Sequence, residues 1–252
     1  MRRRLPLFDV SVGTTLDTLM VDKLHCLYLG PAQTWCHHAL WRLILVDAFG
    51  VGGTAIHHYP LAVSRIKGML WTWYRAEQRR RPDEQITQVQ NFTIGLLGNT
   101  ATSLATKAAE TKWLLPFVLS LVERFGEKFS HVENECLRDS GRALQEYIDL
   151  LDAAPRIVPM PALERMCYCV KAYIDCCHRG NIPLKPKAHM LVHMALRTLR
   201  HGNPNEYAVF TDESINRTLA KIAEAAHRSV WEVRAFASFR EAERVRKRKT
   251  DA

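Results

Sequence analysis

The chain has 252 residues, 47% hydrophobic and 24% charged, enough to bury a core without staples in one large domain or two modest ones. No apolar run reaches the roughly 18 to 20 residues of a membrane span, and the basic Met1-Arg2-Arg3-Arg4 leads into Asp9 rather than an apolar stretch, so neither a span nor a secretory leader is expected. A net charge of +9 favours a polyanionic partner, because clustered Lys and Arg release phosphate counterions, and an odd seven cysteines argue for a reducing, intracellular compartment over a disulfide scaffold.

Residues 1–20 read as an irregular or extended lead-in containing Pro6 and Gly13. A helix is predicted from about Pro31 to Val46, with proline in its first turn and Trp35, His38, Leu40, Trp41 and Ile44 near helical spacing. Gly50-Val51-Gly52-Gly53 breaks it, and Tyr59-Pro60 opens a second helix through Leu61, Ile66, Leu70 and Trp73 to Arg79-Arg80-Arg81-Pro82. Gln85 to Phe92 fits a short strand or a loop equally well. Thr106 to Phe125 is helical in pattern, with Pro116 predicting a kink or boundary, and His131 to Leu151 follows. Pro155, Pro159 and Pro161 mark a connection into a helix over Ala162 to His178. Lys187 to Leu199 makes another helix, stopped by Gly202-Asn203-Pro204. Thr211 suits the N-cap of a helix through Ala226, and Ser229 that of a last helix into the basic tail. The result is a mostly α chain of roughly seven or eight helices with little sheet. It divides into a lead-in over 1–30, a helical domain over 31–205 and a final segment over 206–252.

Several residues could carry chemistry. Asp22 and His25, three apart, meet on one face of a helix, although a boundary aspartate beside a half-buried histidine explains the same spacing. His189 and His193, at i and i+4, have metal-ligand spacing, but Met190 stands where a zinc peptidase needs its glutamate, so that motif is absent. Cys167, Cys169, Cys176 and Cys177 contain no CxxC and read as small hydrophobes. The glycine-rich break lacks the Lys-Ser/Thr of a phosphate loop. Three basic runs remain, Met1–Arg4, Arg79–Arg81 and Arg240–Lys249; in the last, Arg244, Arg246, Lys247, Arg248 and Lys249 suit a DNA backbone or a nuclear address. Trp35, Trp41, Trp71, Trp73 and Trp113 read as core rather than as base-stacking platforms.

Four landmarks follow one another along the chain. The first is Asp22-Lys23-Leu24-His25 with Leu29-Gly30, and the second is Lys107-Ala108-Ala109-Glu110 with Leu114-Leu115-Pro116. Lys187, His189 and His193 form the third; Gly202-Asn203-Pro204, then Phe210 and Glu213, form the last. In this order they resemble the second half of the catalytic domain of cut-and-paste DNA transposases of the CACTA, Plavaka and Kyakuja–Dileera–Zisupton kind. The resemblance implies a helical insertion plus the last catalytic helix of an RNase H-like core, with Glu213 as the final acid and Asp22 sharing Mg²⁺ with it. His25, His189 and His193 would support the site.

Such chemistry needs several carboxylates, because paired Mg²⁺ ions activate the attacking oxygen and steady the leaving one. The family also places an aspartate on an early strand, whereas Asp9, Asp17 and Asp22 sit on no convincing β-run. The expectation is therefore the distal part of a strand-transfer enzyme, active with Mg²⁺ once the rest of the core is supplied, with DNA and a second copy of the chain as partners. The alternatives are a DNA-binding relic without catalysis and an unrelated all-helical interaction scaffold.

Overall fold

The computed structural model describes residues 20–53, 55–99 and 104–209, together with residues 237, 240 and 241. The chain divides into two compact units, Met1–Tyr207 and Ala208–Ala252. Among the described residues the α-helices of the first are α1 (Gln33–Leu45), α2 (Ala55–Arg80), α3 (Ile94–Leu97), α4 (Ala108–Arg124), α5 (His131–Ala153), α6 (Met160–Arg179) and α7 (Pro186–His201). No strand occurs among the described residues, and Gln85 to Phe92 is irregular. None of the described helices is long and apolar enough to cross a membrane.

The α4 helix forms the centre because it is apolar almost all round: Trp113, Leu114, Leu115, Phe117, Val118, Leu121 and Val122 are all buried. Each fully buried aliphatic or aromatic side chain of this kind contributes about 1.5–3 kcal/mol through the hydrophobic effect. Pro116 does not end α4, which runs unbroken past it to Arg124. Lys107 and Glu110 start the helix, the Glu110 carboxylate accepting the Lys107 backbone N–H at 2.8 Å. That is half of a capping box, and it gives this pair a structural role.

Helices α5 and α6 form an antiparallel hairpin. The Ser130 hydroxyl caps α5 by accepting the Glu133 N–H at 3.3 Å. Leu137, Gly141, Leu144, Ile148 and Leu151 then recur at helical spacing on its buried side. The facing stripe on α6 is Leu163, Met166, Val170, Tyr173 and Cys177. Arg165–Glu146 at 2.5 Å and Arg179–Glu135 at 3.1 Å tie the outer edges. All seven cysteines are free thiols, most of them buried.

The segment ahead of α1 differs from a plain helix start at Pro31. Leu24–Ala32 is already wound, as a widened π-type turn interrupted at Leu29 and Gly30, where φ and ψ leave the helical region. It packs against α1, α4 and α7. Helix α2 also begins ahead of Tyr59-Pro60, at Ala55. Trp35, Trp41 and Trp113 are core residues as expected, whereas Trp73 is half-buried and Trp71 is 41% exposed.

Candidate functional site

Segments far apart in sequence meet where the π-type turn lies against α7. The Lys187 ammonium donates to the Leu29 carbonyl at 2.9 Å, and the Cys26 thiol points at the Lys187 carbonyl oxygen at 3.8 Å, across separations of 158 and 161 residues. A Cβ on Gly30 would lie 2.9 Å from the Lys187 Cβ, so only glycine admits this crossing without displacement. Leu29-Gly30 and Lys187, which belong to two different sequence landmarks, therefore touch.

Beside this crossing lies a cleft of about 650 Å³, lined by Met20, Val21, Asp22, His25, Cys26, Lys187, Met190, His193 and Arg197. The Asp22 Oδ2 atom accepts from the His25 backbone N–H at 2.9 Å and from His25 Nδ1 at 2.6 Å. An ionised carboxylate only accepts, so the ring proton sits on Nδ1 and a neutral His25 has its acceptor at Nε2. The imidazole is thereby held in one tautomer and one direction. On α7, His193 and His189 share a hydrogen bond between their Nε2 atoms at 2.8 Å, one donating and the other accepting.

Cys26 is the remaining nucleophile type in the cleft. Burial pushes its thiol up to about 12, with Asp22 acting in the same direction and Lys187 opposing them. The thiolate is the reactive form, so Cys26 is expected to resist iodoacetamide on the folded chain at pH 8 and to label fully in denaturant. Peptide mass spectrometry of both samples checks this.

Lys23 faces the other way from the cleft. It is 3% exposed, and its ammonium donates to Asp152 Oδ1 at 2.8 Å and to Asn205 Oδ1. Lys112 binds the other Asp152 oxygen at 3.1 Å. The Asn203 side-chain amide donates to the Leu151 and Ala154 carbonyls, both at 2.8 Å, and Asn205 donates to Leu151 O at 2.7 Å. These are the carbonyls that the end of a helix leaves without partners, so the turn after α7 caps α5 in trans. In the sequence Gly202-Asn203-Pro204 reads only as a stop. Lys23, Asp152, Asn205 and Arg197 carry no local signal of their roles, because their partners are far away along the chain.

The structure thus brings Asp22, His25 and His193 to one cleft. Glu213 and the basic run Arg244, Arg246, Lys247, Arg248 and Lys249 lie outside the described residues. Mg²⁺ takes oxygen donors and is usually held through one or two carboxylates. The described cleft offers one, Asp22, with an oxygen turned to His25 and with Lys187 and Arg197 nearby. No group of three or more His, Cys, Asp or Glu suited to a metal occurs among the described residues. Taken by themselves these residues do not fit a Mg²⁺ centre. No family model, curated protein or solved structure matches the chain.

Proposed function

We propose that this chain is a transposase-derived protein that handles DNA, with the cleft between the π-type turn and α7 as the place where a strand meets Asp22. The observation that supports this most is the meeting of Asp22 and His25 with Lys187 and His193 at one cleft. The meeting of these two landmarks at one cleft is what the resemblance expects. Lys187 and Arg197 supply positive charge at the same place, in a chain of net charge +9.

In this reading Lys187 and Arg197 hold the sugar–phosphate backbone. The Asp22–His25 pair presents an oriented imidazole that can accept or return a proton at Nε2. Strand cleavage with Mg²⁺, the finer form of the proposal, requires at least one carboxylate besides Asp22, and Glu213 is the residue the resemblance assigns. DNA binding without cleavage is the second reading, favoured by the single carboxylate and two cations of the described cleft.

The test is duplex binding by fluorescence anisotropy across a salt series, run beside nicking of supercoiled plasmid with Mg²⁺. Neutralising Lys187 and Arg197 to glutamine is expected to weaken binding about three- to tenfold. It should also lower the log–log salt slope by about 0.9 for each phosphate no longer neutralised. Neutralising the five basic tail residues should lower the slope further. Asp22→Asn and Glu213→Gln should keep binding intact and abolish nicking. Nicking that survives both substitutions removes the enzyme reading, and no DNA affinity even at low salt removes both readings.

A further inference from the structure

Trp71 belongs by sequence pattern to the core, yet it stands 41% exposed on α2. The face around it is unusual in charge. Over its 26 residues α2 carries Arg65, Lys67, Arg75, Arg79 and Arg80 but a single acid, Glu77. Glu77 is buried and occupied by Arg80 at 2.7 Å and Arg81 at 3.5 Å. The helix itself therefore places no other carboxylate on its outer face.

Trp71, Arg75 and Arg79 are each four residues apart and so lie along one stripe, about 6 Å apart along the axis. Neither Arg75 nor Arg79 takes part in an ion pair among the described residues. Among the described residues Arg75 reaches only the Thr72 hydroxyl, at 3.4 Å. Gly68, one turn before Trp71, has open space where a side chain would stand, which leaves access to the ring clear.

We propose that the outer face of α2 is a second nucleic-acid surface, one that takes an unpaired strand by stacking a base on Trp71 and setting neighbouring phosphates against Arg75 and Arg79. This rests on the reading that the chain handles DNA. An exposed indole beside guanidinium groups that pair with no carboxylate among the described residues is the pairing that single-strand binders use: the ring serves any base and the cations follow the backbone. An intact duplex offers such a ring no base face unless a base is first unstacked. An anionic lipid surface fits less well, because interfacial helices bury a broad apolar face. Among the described side chains of α2 the large apolar ones that are exposed are Leu61 and Trp71.

The experiment measures binding of the whole chain to a labelled oligo(dT) and to a duplex of matched length, across a salt series. Trp71→Ala should weaken oligo(dT) binding about tenfold and leave duplex binding within twofold, while Trp71→Phe, which keeps an aromatic face, should recover most of the affinity. Arg75→Gln with Arg79→Gln should lower the oligo(dT) salt slope by about 0.7 for each phosphate no longer neutralised. The Lys187 and Arg197 variants should affect the duplex alone. Unchanged oligo(dT) binding in Trp71→Ala overturns the proposal, as does wild-type binding to phosphatidylserine vesicles that Trp71→Ala abolishes when oligo(dT) binding is absent. Oligo(dT) binding that depends on Trp71, in a chain with no duplex affinity, supports this surface and removes the cleft reading.

Discussion

Lys23→Ala is expected to lower unfolding stability by about 2–4 kcal/mol, the range for truncating a long buried side chain, whereas Lys23→Met should stay within about 1 kcal/mol of the wild type. The difference follows from what each variant leaves behind. Alanine empties the space of a side chain that is 3% exposed, while either variant deprives Asn205 Oδ1 of its donor. Methionine fills that space, and Asp152 retains Lys112 in either variant. Burial pushes the Lys23 ammonium below its ordinary range, the attraction of Asp152 only partly opposing it. At Asp152 burial acts to raise the carboxyl, but Lys23 and Lys112 together hold it below its ordinary range. The two ends of one ion pair thus differ because the ammonium lies much deeper than the carboxylate.

The pH dependence follows from those directions. The folded Asp152 value is depressed, so its contribution is present above about 3.8 and is lost as pH falls through the folded value. For Lys23 the folded value lies below 10.5. The unfolded chain therefore holds more protons in the interval between them, and the wild type gains stability on Lys23→Met as pH rises through it. Urea denaturation of the three proteins from pH 3 to pH 10 reads both effects. A Lys23→Met variant as unstable as Lys23→Ala would show that the charge, not the volume, holds the turn.

What is legible in the sequence is what local periodicity decides. The stripes Leu137 to Leu151 and Leu163 to Cys177 carry the helical repeat, and α5 and α6 form where that repeat puts them. Proline and glycine locate the breaks at 155–159 and at 202. The residues that escape are those whose state is set from a distance. Nothing near Leu24 announces a π-type turn; the crossing of Lys187 over Gly30 constrains the backbone there. Trp71 has the composition of a core residue, but α2 packs on a narrow side through Ala62, Ile66, Leu70 and Tyr74 and leaves Trp71 outside. At the cleft, the spacing of Asp22 and His25 is readable and their hydrogen bond follows from it. That α7 supplies the opposite wall has no local signal in the sequence.

Gly202→Ala is expected to cost about 3 kcal/mol or more and to loosen the cleft along with the fold. Gly202 adopts φ 78° and ψ −163°, a region open in practice to glycine alone, which sets about 1–3 kcal/mol against any other residue. A Cβ there would also stand 2.5 Å from the Arg156 carbonyl oxygen. That oxygen cannot easily withdraw: it accepts the Asn203 N–H at 2.8 Å, and Asn203 is bound in turn to the carbonyls of Leu151 and Ala154. Moving it would disturb the cap on α5, at about 1 kcal/mol for each hydrogen bond broken. Gly53→Ala provides the control, because Gly53 also has a positive φ, 87°, but nothing lies within 4 Å of its Cβ position. It should cost only the backbone strain, about 1 kcal/mol. Helix α7 ends at this turn and carries Lys187, His193 and Arg197, so Gly202→Ala should also weaken duplex binding at temperatures where the variant remains folded. Equal melting temperatures for the two variants would mean that the Arg156 carbonyl yields freely and that the turn does not fix the seat of α7.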